Sequence, residues 1–247
     1  MSWTPTPLPA NPRISVVIPA FNEAASIGLT LADLPREMLH EIVVVNNGSL
    51  DETARAAAAG GARVVDEPRR GYGSACLAGI AAVGDADIIV FIDADYSDRP
   101  EELPQTVGPI LEGRADMVIG ARAAEKREAG AMAPQARFGN WLATTLIRWR
   151  WGHRYTDLGP FRAIRADALR RLRMEDRTYG WTVEMQVKAL LCGLRVEETP
   201  VSYRRRVGVS KITGTVRGTI GAGIKILGTI ARYGIRRKAK RGRGESV

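Results

Sequence analysis

Asp93 and Asp95 stand one residue apart in Phe91-Ile92-Asp93-Ala94-Asp95, directly after Asp87-Ile88-Ile89-Val90, a short run that reads as a buried strand. Along an extended chain, residues i and i+2 share a side. Two like charges then face the same way and repel. A divalent cation with oxygen ligands suits that arrangement, and Mg2+ keeps few protein ligands and carries substrate phosphates. A bare Asp-x-Asp is otherwise two solvated acids opening a turn before Pro100, so its meaning depends on what converges with it.

The elements that must position the pair are legible in the first half. Residues 14–18, 41–45, 63–65, 87–90 and 117–119 are β-branched or apolar runs of strand length. Between them lie helical patterns. One opens at Asn22-Glu23 and carries Ile27, Leu31 and Leu34. An Ala-rich one over 53–59 follows Ser49-Leu50-Asp51-Glu52, which has capping-box spacing. Others cover 74–83, after Gly71-Tyr72-Gly73, and 100–111. Strands alternating with helices predict a mostly parallel α/β sheet whose ligands bind beyond the strands' carboxyl ends. Three post-strand stretches should therefore line one crevice: Pro19-Ala20-Phe21-Asn22-Glu23, Asn46-Asn47-Gly48-Ser49 and Asp93-Ala94-Asp95. The second half is less regular, with helices expected over 138–150, 167–172 and 182–191 and a late strand over 195–201.

At 247 residues, with 45% apolar and 26% charged residues, the chain is a globular protein rather than a disordered one. Residues 1–12 lack an apolar h-region and read as a flexible lead. No window is long and apolar enough for a transmembrane helix. Two cysteines, Cys76 and Cys192, are too few for a disulfide framework and fit a cytoplasmic setting. Net charge of +9 implies attraction to phosphates.

Taken in order and spacing, the motifs resemble the family-2 glycosyltransferases, and within them the dolichyl- or polyprenyl-phosphate sugar synthases. The matching stretches are Val17-Ile18-Pro19-Ala20-Phe21-Asn22-Glu23, Asn47-Gly48-Ser49-Leu50-Asp51-Glu52-Thr53, Gly71-Tyr72-Gly73, Asp93-Ala94-Asp95-Tyr96-Ser97, Gly120-Ala121-Arg122, Thr156-Asp157-Leu158-Gly159-Pro160-Phe161-Arg162 and Gly208-Val209-Ser210-Lys211. The resemblance spans residues 14–211. It implies a GT-A-type Rossmann-like sheet flanked by helices over 13–211, and an inverting, metal-dependent transfer of a hexose from a nucleotide sugar to polyprenyl phosphate.

The resemblance also implies roles. Pro19, Ala20, Phe21, Glu23 and Asn46 would hold base and ribose, with Gly71, Ala94 and Asp157 close to the donor. Asp93 and Asp95 would bracket the diphosphate through Mg2+ or Mn2+. Arg204, Arg206 and Lys211 would approach it from the other side, and Arg122 and Arg137 would take the acceptor phosphate. The family usually has an acid where Asn46 stands. A guanine site gains more from a carboxylate than a uracil site does, which favours a UDP-sugar over a GDP-sugar. Ser97 replaces a frequent Gln.

Three features bear on the acceptor. Glu184, early in its helix, is either a general base or an acid favoured by the helix dipole. An ionised phosphate needs no base, so Glu184 would be essential only for a soluble hydroxyl acceptor, the alternative reading. Asp157 and Arg162 flank a tight turn, as a mutual pair or as neighbours of the site. Trp141, Trp149 and Trp151 suit a core, an apolar acceptor groove or a membrane interface.

At the C-terminal end, residues 212–235 form an amphipathic pattern. Val216, Ile220, Ile224, Leu227, Ile230 and Ala231 lie on one face, and Arg217, Lys225 and Arg232 on the other. The basic stretch 236–247 reads as a disordered tail. Together these suggest a protein peripheral at the inner face of a membrane, on anionic lipid. Gly214 and Gly218, four apart, also suit close helix packing, including within a homo-oligomer. The charge alone would also fit a nucleic-acid binder, but carboxylates gathered at strand ends argue against nucleic acid as a partner.

Overall fold

The protein is described here by a computed structural model covering residues 3–208 and 216–241. In chain order the elements are β1 (Ile14–Ala20), α1 (Ile27–Ala32), β2 (Leu39–Asn46), α2 (Thr53–Ala59), β3 (Arg63–Asp66), α3 (Tyr72–Ala82), β4 (Ile88–Phe91), α4 (Leu103–Leu111), β5 (Met117–Arg127), α5 (Pro134–Trp151), β6 (Arg162–Arg165), α6 (Ala166–Leu172), α7 (Trp181–Leu191), β7 (Val196–Tyr203) and α8 (Val216–Arg241).

The strands form one seven-stranded sheet in the order β3-β2-β1-β4-β6-β5-β7. β6 runs antiparallel to β4 and β5, and the remaining pairs are parallel. The chain winds outward from β1 to β3, then returns to the other side of β1 as β4. The carboxyl ends of β1 and β4 therefore flank the switch point where such sheets open a crevice. Both sheet faces are covered, so alternate residues of one strand enter different cores. Val17, Val43, Val45 and Phe91 pack beneath α3, α5 and α7 with Trp181. Val16, Ile18, Val44 and Val90 pack with Leu31 of α1 and Leu103 of α4 on the other side.

Several boundaries differ from expectation, each for a local reason. α1 starts at Ile27 rather than near Asn22, because Asn22 is left-handed (φ 52°). Its side-chain oxygen accepts from Leu50 N at 2.8 Å. The capping box before α2 does not form. The Ser49 hydroxyl instead accepts from Asn22 N at 3.0 Å, and Asp51 accepts from Thr53 N at 3.1 Å. The two bonds of Asn22, to Leu50 and Ser49, tie the loops after β1 and β2 together.

α8 also departs from its expected form. It runs past residue 235 to Arg241, since Arg, Lys and Ala are strong helix formers. Its side chains divide differently as well. Ile230 and Tyr233 are buried against the domain, whereas Ile224 and Leu227 are exposed. Lys225 and Arg232, expected to face away, pair with Asp176 and Glu175 at 3.1 Å each. Among the described residues no helix is long and apolar enough to cross a membrane.

Candidate active site

A cleft of about 480 Å3 opens at the switch point. Asp93, Ala94 and Asp95 form one wall. The end of β1 and the loop after it contribute Pro19, Ala20, Phe21 and Glu23, and Asn47, Arg70, Gly71, Tyr72, Ala75, Thr178, Tyr179 and Arg206 complete it. The loop at 67–71 is held by Asn47, whose amide donates to the Glu67 and Arg69 carbonyls at 2.9 and 2.8 Å and accepts from Gly71 N at 2.8 Å. Gly71 (φ 142°) has no room for a Cβ, which would strike the Arg177 carbonyl. The Arg70 guanidinium lies 3.2 Å from the Phe21 ring centre. That stacked pair is a flat, cationic platform suited to a base or diphosphate.

The carboxylates are held unequally. Asp95 Oδ1 accepts from Ser97 N at 2.9 Å and from its hydroxyl at 2.5 Å, while Oδ2 meets Arg206 Nη1 at 2.8 Å. Asp93 receives the Tyr72 hydroxyl, but its Oδ1 is buried with no hydrogen-bond partner. Burial, and then the charge of Asp95, push the Asp93 carboxyl up to about 7. An orphaned anionic oxygen beside a second carboxylate fits a hard cation with oxygen ligands. Among the described residues no group of three or more His, Cys, Asp or Glu forms a protein-only cage. Two neighbouring carboxylates suit a cation that takes few protein ligands and completes its shell with substrate phosphates.

Asp98 lies in the same neighbourhood. Burial first, then Asp93 and Asp95, drive its carboxyl well above the usual range, and Arg122 opposes this. A second cleft of about 460 Å3 lies on the Arg122 side, lined by Arg122, Arg127, Arg137, Asn140, Asp157 and Glu198 among others. Arg122 grips Asp157 through Nε and Nη2, both at 2.7 Å. Arg127 Nε is buried without a partner, and Arg137 is exposed on α5.

Some expected site residues are employed elsewhere. Asn46 turns away from the first cleft and donates to Asp66 at 2.7 Å, leaving Asn47 in the position expected of it. Arg204 is buried. It stacks on the Tyr96 ring at 3.2 Å and donates to the Tyr96 and Asp98 carbonyls, so it braces the loop after β4 rather than a diphosphate. Asp157 pairs with Arg122, not Arg162, and lines the second cleft. Arg162 is fully buried and donates to the carbonyls of Leu158, Gly159 and Thr182.

Glu184 is 1% exposed and accepts from Glu175 N, Asp176 N, the Tyr233 hydroxyl and Lys188. That network fastens α7 to α8 and the preceding loop, and Glu184 lines neither of the two clefts. Lys211 lies outside the described residues.

Sequence reasoning gave no role to Arg70, Tyr72, Arg127, Thr178 and Tyr179. The first two lie beside and within the Gly71-Tyr72-Gly73 motif already noted and were within reach. Arg127 sits in the extension of β5 beyond the apolar 117–119. Thr178 and Tyr179 arrive from a loop about 80 residues after Asp95 and carry no local signal.

The family model for glycosyl transferase family 2 matches residues 15–173, most of the chain, including Asp93 and Asp95. The chain belongs to glycosyl transferase family 2. It is a glycosyltransferase by that membership. It is 40% identical over 217 residues to an uncharacterized glycosyltransferase of Mycobacterium tuberculosis, covering 85% of this chain and 94% of the relative. It is 31% identical over 236 residues to the undecaprenyl-phosphate mannosyltransferase of Micrococcus luteus, covering 90% and 96% of the two chains. Its fold matches the glucosyl-3-phosphoglycerate synthase of Mycobacterium tuberculosis, solved with Mn2+, UDP and glucosyl-3-phosphoglycerate. The TM-score is 0.75 at 24% identity, over 91% of this chain and 80% of the other. The GT-A-type sheet expected from the motifs is thereby borne out.

Proposed function

We propose that this glycosyltransferase moves a hexose from a nucleotide sugar, UDP-linked rather than GDP-linked, to a polyprenyl phosphate, with inversion at the anomeric carbon. The observation that carries the reading is the pairing of a carboxylate–arginine cleft with an arginine-lined one. The charge of Arg122, in the second, is felt by Asp93 in the first. The undecaprenyl-phosphate specificity of a relative matched over nearly its whole length supports the lipid acceptor. UDP is favoured by Asn47, an amide rather than a carboxylate at the cleft position expected of residue 46, and by the UDP bound in the structural neighbour.

The Phe21–Arg70 platform receives the base, and the backbone around Gly71 lets it approach closely. Arg206 lies where it can neutralise the diphosphate. Mg2+ or Mn2+ held by Asp95 and Asp93 would supply Lewis-acid stabilisation of the leaving diphosphate. Arg127 and Arg137 hold the acceptor phosphate, with Arg122 oriented by Asp157 behind them. The acceptor oxygen is already ionised, so attack requires positioning and charge rather than proton removal. This agrees with a Glu184 committed to structure.

The test is to incubate the protein with UDP- and GDP-hexoses, Mg2+ or Mn2+, and in turn polyprenyl phosphate, 3-phosphoglycerate or water. Release of UDP dependent on polyprenyl phosphate, with a glycosyl phospholipid seen by mass spectrometry, is expected. Transfer to 3-phosphoglycerate with none to the lipid phosphate would replace this reading with a soluble-acceptor one.

A further inference from the structure

We propose that the outward face of α5, rather than α8, is the surface by which the protein lies on an anionic bilayer. The inference rests on the lipid-phosphate reading above and assigns it a docking surface.

α5 turns Ala143 and Ile147 into the core, yet leaves Phe138, Trp141 and Trp149 exposed by 61%, 58% and 84%. At 100° per residue these three fall within about 80° of one another on the side opposite Ile147. Three large aromatics exposed on one outward face, with Phe138 and Trp141 packed on each other at 5.7 Å, form an apolar patch of the kind that marks a contact surface. The helix Pro134–Trp151 contains no acidic residue, and Arg137 and Arg148 border the aromatic face. Arg154, just beyond the helix, is exposed as well. Aromatic rings flanked by arginines match the interfacial zone of a membrane, where the rings sit at headgroup depth and the cations meet anionic lipid.

The same composition disfavours a second copy as the occupant. A two-fold interface places a patch against itself, which would bring Arg137 and Arg148 against like charges. α8, the segment expected to anchor, spends Ile230 and Tyr233 on the core and two cations on Asp176 and Glu175.

The placement of α5 completes the argument. Arg137 and Asn140, in its first two turns, line the second cleft. Trp149 lies about 18 Å further along the axis, at 1.5 Å per residue. A helix resting on the headgroups would hold the mouth of that cleft at the depth of a lipid phosphate. The acceptor could then be engaged without leaving the bilayer.

The experiment uses the full chain with vesicles of phosphatidylcholine, alone or with one-third phosphatidylglycerol. Sedimentation should show binding to the anionic vesicles only. Brominated lipids should quench part of the tryptophan fluorescence, and Trp149→Phe should lose the most quenchable fraction. The combined variant Phe138→Ser, Trp141→Ser, Trp149→Ser should fold and bind vesicles at least tenfold more weakly. It should lose transfer to long-chain polyprenyl phosphate in vesicles, yet keep transfer to a water-soluble short-chain prenyl phosphate. Absence of vesicle binding by the parent, unaltered binding by the triple variant, or a parent dimer that the triple variant abolishes would overturn the surface. If the triple variant fails to fold, unquenched Trp149 in the bound parent overturns it equally. Vesicle binding through α5 without transfer to either prenyl phosphate would keep the surface and overturn only the acceptor reading.

Discussion

Arg206 Nη1 lies 2.8 Å from Asp95 Oδ2, so the loop after β7 caps the carboxylate that ends the Asp-x-Asp motif. In the proposed reading, a cation held through Asp95 Oδ2 would compete with Arg206 for this oxygen. A guanidinium released from it would be placed to meet the donor's diphosphate. Donor binding would then be coupled to the loop after β7 through this one pair.

Arg206→Ala should therefore separate two effects. With its competitor removed, Mn2+ should bind the donor-free protein at least as tightly as it binds the parent. Turnover should fall at least tenfold, because the diphosphate loses a charge-assisted partner. Mn2+ titration followed by electron paramagnetic resonance and steady-state kinetics check the two halves. Weaker Mn2+ binding together with full turnover would reverse the assignment.

Asp95→Asn should lower turnover by about 10² or more, in the range of losses seen when a stabiliser of developing charge is removed. The variant should keep its circular dichroism spectrum and melting transition. Chelation of divalent ions should abolish the parent's activity, and Mg2+ or Mn2+ should restore it. Full activity in excess chelator would exclude the metal-dependent reading.

Arg122 and Asp157 form a buried ion pair, with side chains 14% and 5% exposed. Asp157→Asn should lower unfolding free energy by about 3–5 kcal/mol, as expected when one partner of a buried pair is removed. Burial pushes the Asp157 carboxyl up, but Arg122 and the backbone donors outweigh it and hold it below the usual range. A folded-state value below the unfolded one gives stability that is complete above about pH 4 and lost as pH falls through the folded value. Denaturant melts of parent and variant should accordingly stay separated at neutral pH, begin to converge below about pH 4 and meet only below the folded-state value.

Glu184→Gln should weaken the attachment of α7 to α8 while leaving turnover per folded molecule within about threefold of the parent. The carboxylate accepts from two backbone amides, Tyr233 and Lys188, and none of these lines the donor cleft. Kinetics normalised to the folded fraction decide the matter. A loss of 10²–10⁴, the size of a general-base contribution, would restore the hydroxyl-acceptor alternative.

Phe21→Ala should raise the KM for the donor about tenfold with a smaller change in kcat. The ring supports the Arg70 guanidinium 3.2 Å from its centre, and a base-stacking platform acts on ground state and transition state alike. An unchanged KM would place the base elsewhere in the cleft.

The sequence by itself determined where the donor cleft would be. Strand periodicity gave β1, β2 and β4, and the parallel winding brings their carboxyl ends together whatever the loops do in detail. Residues at or just past the ends of those strands, among them Pro19, Ala20, Phe21, Glu23 and Asp93 to Asp95, were placed by chain connectivity and line the cleft. Hydrogen bonds between distant segments decided the rest. Asn46 and Asn47 are adjacent and chemically identical, and only the positions of Asp66 and of the 67–71 loop decide which one faces the cleft. Glu184 read as a candidate base because an early helical acid looks the same whether it faces solvent, substrate or, as here, α8. The helical periodicity of 212–235 led to a helix, α8, but periodicity gives an angle around a helix axis and not the partner it faces. The core took Ile230 and Tyr233, and the exposed aromatics came to lie on α5, because burial of a helix face is set by neighbours that local sequence does not encode.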